Sequence, residues 1–186
     1  MLKVRRFGII KVMYKIDKNS VSLSGEFAVL SQLALRGMDA NMTLGHTKGV
    51  DILVSDPRTN KMYQLEVKTN FTNSRNKPSV SKIHGNAISS WIMSEKNGKI
   101  ENPNLFYCFV NISKDTDSFK YYIVPSKVVA KYIREECSLW IKVKTKKGDK
   151  FKVTEMRNFR LGVVGEKYPI ETPTGKKYEN NWEFKS

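Results

Sequence analysis

The chain has 186 residues, and its 33 Lys and Arg outnumber 18 Asp and Glu to give a net charge of +15. A 40% hydrophobic content with 11% aromatics excludes a disordered chain and suits one domain, 1–186, with a real core, the length being short for two. No apolar run approaches the roughly 20 residues of a membrane span, Lys3, Arg5, Arg6 and Lys11 interrupt the opening MLKVRRFGIIKVMYK where a signal core would be continuous, and Cys108 and Cys137 form neither a disulfide framework nor a metal-ligand spacing. A cytoplasmic location is therefore expected, and the basic excess points to a polyanionic partner, nucleic acid first.

The first 18 residues read either as a strand or as a basic arm. Ser20, Ser22 and Ser24 are each candidate N-caps for a helix that Gly37 would stop. ANMTLG and VDILVSD then read as short strands. DPRTNK has turn chemistry and joins VDILVSD to KMYQLEVKTN as a hairpin. FTNSRNKPSV is loop-like, and a helix is expected within KIHGNAISSWIMSEK, residues 82–96. NLFYCFVNI is a continuous apolar run, hence an interior strand buried on both faces, with Cys108 as a small buried hydrophobe. SFKYYIVP is a further strand, and Ser126 is placed to cap a helix to about Glu136. Beyond it, IKVKTKKGDKFKV reads as a hairpin turning at Lys147–Asp149, so that 137–186 becomes a β-rich extension of a core at about 20–136. MRNFRL and KYENNWEF receive no assignment; Trp91 and Trp182 are expected to pack rather than to stack on bases. The order helix, three strands, helix, strand implies an α/β fold with a mixed β-sheet flanked by helices.

Charged residues stand where strands usually avoid them. Asp51 opens VDILV, and Glu66 and Lys68 lie two apart in QLEVK, so they share a face. Across a hairpin, Asp51 and Glu66 would lie a few ångströms apart and repel unless a cation sits between them; Mg²⁺ suits one or two carboxylates plus waters. An Asp–Glu–Lys salt-bridge cluster on a solvated sheet face accounts for the same charges. Glu26 bears on the choice. At about 100° per residue it falls within the apolar arc of Phe27, Val29, Leu30, Leu33 and Ala34, and a carboxylate facing a sheet needs a partner.

Asp51, a hairpin, Glu66-Val67-Lys68 and a preceding helix acid together resemble the PD-(D/E)xK nuclease superfamily, with its restriction-endonuclease-like α-β-β-β-α-β core, over about residues 20–136. Val50 stands where that motif often has proline. The resemblance implies Asp51, Glu66 and the Val67 carbonyl as metal ligands, Lys68 as catalytic lysine and Glu26 as accessory acid. It further implies Mg²⁺, with Mn²⁺ as substitute, and phosphodiester hydrolysis in DNA. A restriction or homing endonuclease is the leading expectation, and a double-strand cutter would be a homodimer. A junction resolvase or repair nuclease and a catalytically idle nucleic-acid-binding module are the alternatives. LGHTKGVD runs into Asp51 and offers His46 and Lys48 to phosphates; the polar segment after the lysine strand offers Arg75, Lys77, Lys82 and His84.

Overall fold

The computed structural model describes residues 16–43, 49–72, 87–148, 150–163 and 168–186. Helix α1 spans Lys18–Ala34. Its N-cap is Asp17, not one of the three serines: the Asp17 carboxylate accepts the Ser20 N–H at 2.7 Å and also meets the positive end of the helix dipole. Ser24, within the first turns, donates its hydroxyl to the Ser20 carbonyl instead. The expected stop holds. Gly37, at φ 70°, reverses the chain so that Met38 N–H reaches the Leu33 carbonyl at 3.2 Å.

Strands β1 (Asp39–Met42), β2 (Ile52–Asp56) and β3 (Lys61–Thr72) follow as an antiparallel meander. The turn between β2 and β3 is built by Asp56. Its carboxylate accepts from the Arg58 backbone N–H and chelates the Arg58 guanidinium, contacts that hold its pKa down to about 2. Asn60 supplies the left-handed residue, at φ 54°.

Several expectations fail after β3. Within 82–96, the described residues from Ala87 hold strand β4 (Ser89–Ser94) and a 3-10 turn, Glu95–Lys99, in place of a helix. Ser89, Trp91 and Met93 are buried while Ile92 is exposed, a period of two. The partner that settles this is β7 (Met156–Leu161), which pairs with β4 antiparallel and lies far along the chain. Strand β5 (Leu105–Ser113) is the expected interior strand, parallel to β3, and β6 (Phe119–Pro125) is antiparallel to it. Helix α2 then runs Ser126–Lys146. The hairpin expected over 141–153 is thus helix as far as Lys146, because lysine is a good helix former and its charge suits the C-terminal end of the dipole. The segment 137–186 is accordingly not β-rich among the described residues: it contributes the end of α2, the single strand β7 and the short α3 (Gly175–Tyr178). Ser126 is the first helical residue rather than the cap, and its hydroxyl bridges to Asn102 by donating to the carbonyl and accepting from the N–H.

The main sheet has five strands in the order β1-β2-β3-β5-β6 and is mixed, flanked by helices. Alternation along its inner strands fills both faces. Leu65, Val67, Phe106, Cys108, Val110 and Ile123 pack toward α1 with Val29 and Leu33. Tyr107, Phe109, Tyr122 and Val124 pack on the other side with Val129, Tyr132 and Ile133 of α2 and Trp91 and Phe159 of the β4–β7 ribbon. Cys108 and Trp91 are therefore core, as expected. The C-terminal segment runs along β6 through a bridge between Glu179 and Tyr122 and a 3.0 Å bond from Asn180 N–H to the Tyr121 carbonyl. Trp182 then packs on Tyr121, and Phe184 stacks on Tyr63 with ring centres 4.3 Å apart. Helix α1 crosses β3 at a glycine: a Cβ on Gly25 would lie 1.9 Å from the Thr69 hydroxyl oxygen.

Candidate active site

Three of the sequence-predicted residues meet where β2 begins against the middle of β3. The ladder between the two strands runs from Asp56–Lys61 to Ile52–Leu65. At the next step Asp51 donates its backbone N–H to the Leu65 carbonyl at 2.7 Å, and its side chain replaces the backbone as partner of β3: Oδ2 accepts the Val67 N–H at 2.7 Å. Thr43 steadies this entry from the end of β1, donating its hydroxyl to the Val50 carbonyl at 2.6 Å and its N–H to the Asp51 carbonyl at 2.9 Å. The Asp51 carboxylate is thereby fixed beside the residue that separates Glu66 from Lys68.

Glu66 is 3% exposed. Its Oε1 is 2.7 Å from Lys68 Nζ, and its carboxylate also receives the Asn97 side-chain amide at 3.3–3.4 Å. Gly49, at φ 81°, passes over it so closely that a Cβ there would lie 3.4 Å from Oε2. The segment leading into Asp51 therefore runs directly across the Glu66 carboxylate. Lys68 keeps 31% of its side chain exposed, so its ammonium reaches both the buried carboxylate and solvent. Leu65 and Val67, on the alternate face, are buried in the core.

Glu26 stands differently from what the helical arc implied. Helix α1 covers the face of Leu65 and Val67, the opposite face from Glu66 and Tyr107. Phe27, counted on the apolar arc, is 56% exposed. Glu26 itself is half-buried and accepts the Ser22 hydroxyl at 3.2 Å. Burial raises its pKa above the ordinary value and the Asp51 charge raises it further, while Ser22 and Lys68 act in the other direction. Glu26 thus lies within electrostatic reach of Asp51 and Lys68 and makes no direct bond to either.

That environment carries a stability signature. A carboxyl with a raised native pKa contributes most to stability below its unfolded pKa, and the contribution is lost as pH rises through the native one. Glu26→Gln should therefore raise the Tm at pH 8 by about 1–3 °C, and the gain should vanish in scans near pH 4. An equal gain at both pH values would assign the effect to packing rather than to charge.

His46, Lys48, Arg75, Lys77, Lys82 and His84, expected to contact nucleic acid, all lie outside the described residues. Sequence reading missed Asn97 and Tyr107, which flank Glu66. Asn97 is 2% exposed and hydrogen-bonds to Glu66 from the 3-10 turn, and Tyr107 is the parallel partner of Glu66 on β5. Burial and the Glu66 charge together push the Tyr107 phenol pKa upward. Only the polarity of SEKNG, residues 94–98, at a strand end marked Asn97, and nothing local links it to Glu66. Among the described residues no group of three or more His, Cys, Asp or Glu is gathered to hold a metal ion. The donor set present is the pair Asp51 and Glu66, both oxygen donors, with the Val67 backbone between them; it fits a hard cation that keeps most of its own water.

No family matches the sequence, and no curated protein does. Among solved structures the fold is similar to that of a bacterial homing endonuclease, I-Ssp6803I, with a TM-score of 0.44 at 10% identity over 91% of each chain.

Proposed function

We propose that the chain is a metal-dependent DNA endonuclease of the PD-(D/E)xK type. The observation that carries this reading is the junction of three charged groups at one point of the sheet: Asp51 bonded to the Val67 N–H, with Glu66 and Lys68 on either side of Val67 and paired at 2.7 Å. Surface salt bridges between exposed side chains contribute little, but here a carboxylate is 3% exposed inside a strand that could have carried an apolar residue. Such placement is costly for stability alone and suits a site that must hold charge away from water.

Asp51, Glu66 and the Val67 carbonyl would hold Mg²⁺, or Mn²⁺ in its place. A bound divalent ion supplies Lewis acidity toward the scissile phosphate and a water of lowered pKa. Lys68 supplies positive charge where the phosphate gains negative charge, a contribution that is large because it is fixed before the reaction. Glu26, with its raised pKa beside Asp51, is suited to take up or return a proton.

The partner is DNA on this reading. The exposed face of α2 presents Lys127, Lys131, Arg134, Lys142 and Lys146 at helical spacing, with Ser138 and Thr145 between them; of these, Lys131 pairs with Glu171 and Arg134 with Glu101. The α2 acids are not on it: Glu136 is buried and paired with Arg160, and Glu135 is half-buried. Restriction or homing cleavage is the proposed role, with two copies of the chain cutting the two strands.

Incubation of the protein with supercoiled plasmid and Mg²⁺ or Mn²⁺ should give nicked and linear DNA, and EDTA should stop it. Sequencing of the new ends then separates discrete sites from structure-dependent ones. DNA binding without cleavage under both metals, on duplex and branched substrates alike, would sink the nuclease reading in favour of a binding module.

A further inference from the structure

Asn97 stands outside the acid–lysine motif, yet it makes the most determined contact to it. Its side chain is 2% exposed, and the partners around it account for both ends of the amide. Oδ1 accepts two donors, the Ser94 N–H at 2.9 Å and the Ser94 hydroxyl at 3.0 Å. Nδ2 donates to the Tyr107 hydroxyl oxygen at 3.0 Å and to the Glu66 carboxylate at 3.3–3.4 Å. The amide cannot turn over. A flip would set Oδ1 against a carboxylate and the NH₂ against the Ser94 N–H, two repulsions that the Tyr107 and Ser94 hydroxyls cannot offset by reversing their roles. The Ser94 donors therefore dictate that an N–H faces Glu66.

The turn that carries Asn97 is itself held from the far side. Gly98 is buried against α2, where a Cβ would lie 3.3 Å from Ile133 Cγ2, and its carbonyl accepts Arg134 Nη1 at 2.7 Å. The position of the Asn97 amide is thus set by the packing of α2. The Glu66 carboxylate meets the Asn97 amide as well as the Lys68 ammonium, which is part exposed.

We propose that Asn97 is a positioning residue for the nuclease site: its amide, oriented by Ser94 and steadied by the Tyr107 hydroxyl, holds the Glu66 carboxylate in the orientation in which it takes the metal. This rests on the nuclease reading. Groups that orient a metal ligand commonly change metal affinity or activity 10- to 100-fold when removed, whereas a group that only closes a turn changes stability and leaves affinity alone. Asn97 has both kinds of contact, and they lie on opposite ends of its amide, so they can be separated.

Mn²⁺ binding measured by calorimetry, alongside Tm and plasmid cleavage, provides the test. Asn97→Ala should weaken Mn²⁺ binding about 10-fold or more and raise the Mn²⁺ concentration needed for half-maximal cleavage by a similar factor. Ser94→Ala removes one of the two donors that orient the amide and keeps the backbone N–H, so it should lower Tm and weaken Mn²⁺ binding by a smaller factor than Asn97→Ala does. Tyr107→Phe removes the hydroxyl that steadies the amide and also interacts with Glu66, leaves the turn untouched, and should shift Mn²⁺ affinity by a smaller factor in the same direction; it decides the matter should Asn97→Ala not fold. Wild-type Mn²⁺ affinity in Asn97→Ala, or in Tyr107→Phe where it is the deciding variant, overturns the proposal while leaving the nuclease reading intact. A wild-type chain that neither binds Mn²⁺ nor cleaves DNA removes the nuclease reading, and this inference with it.

Discussion

Asp51→Asn, Glu66→Gln and Lys68→Ala are each expected to reduce plasmid cleavage by about 10²–10³-fold or more while the protein still shifts DNA in a gel. The three differ in what else they change, and that difference makes the result diagnostic. Asn at position 51 retains an oxygen to accept the Val67 N–H, so the join between β2 and β3 survives and the Tm should hold. Gln at position 66 removes the charge that Lys68 and Asn97 both address and keeps the shape. Ala at position 68 leaves a carboxylate that is 3% exposed without its ammonium, so the Tm should fall together with cleavage. Lys68→Arg provides the control. It restores the counter-charge and the Tm but not the activity, since a guanidinium is always charged, planar and differently placed. Wild-type cleavage by Asp51→Asn would show that the acids and the lysine form a structural ion cluster and that any catalysis lies elsewhere.

Gly25→Ala is expected to destabilise the fold more than any other single methyl addition on α1. The added carbon would lie 1.9 Å from Thr69 Oγ1 and 2.9 Å from both Thr69 Cβ and Cγ2. Thr69 is β-branched and sits within a strand, so it has few rotamers with which to yield. Its hydroxyl oxygen is buried and finds no hydrogen-bond partner among the described residues, which shows how closely the helix presses there. Overpacking of this kind costs about 2–3 kcal/mol, equivalent to a Tm lower by roughly 5–10 °C at this chain length. Thr69→Ala in the same chain should return part of the loss by removing two of the three clashing atoms. Because Thr69 follows Lys68 directly, a helix lifted off at Gly25 should also displace the lysine, and cleavage by Gly25→Ala should fall even at temperatures where it is folded. A Gly25→Ala protein with unchanged Tm would mean that α1 is free to shift away from β3.

The acid–lysine site was legible in the sequence because its residues are linked by local rules. Asp51, Glu66 and Lys68 belong to one hairpin, whose turn chemistry at Asp56–Lys61 fixes the register and hence which side chains meet. The interior strand β5 was legible for a related reason: a continuous apolar run has few other places to go. What escaped depended on partners distant in the chain. Trp91 and Met93 alternate with Ile92 over too few residues to outweigh a helical reading, and only β7 turns that alternation into a strand. Asn97 reads as an ordinary loop asparagine until the parallel pairing of β3 with β5 sets Tyr107 beside Glu66. The lysines of 142–146 alternate with Val143 and Thr145 and so mimic a strand, yet α2 continues through them from a well-buried first half. Glu26, read as an acid facing the sheet, is half-buried on the helix that covers the Leu65 and Val67 face, because periodicity gives the side of a helix and not the side of the sheet it will cover.

The two borders of the main sheet are closed in unlike ways. On one side β1 is only four residues long, Asp39–Met42, and begins with a charge. On the other, the segment around Glu179–Asn181 occupies β6: Asn180 N–H takes the Tyr121 carbonyl, and the Asn181 side-chain amide takes that of Ile123 at 3.3 Å. A lone row of backbone donors and acceptors is a template on which a second chain can add a strand and from which aggregates grow. Here one row is brief and the other is engaged in part by the segment 179–181, held down by Trp182 and Phe184. Among the described residues the main sheet therefore offers a second chain little open edge on which to add a strand.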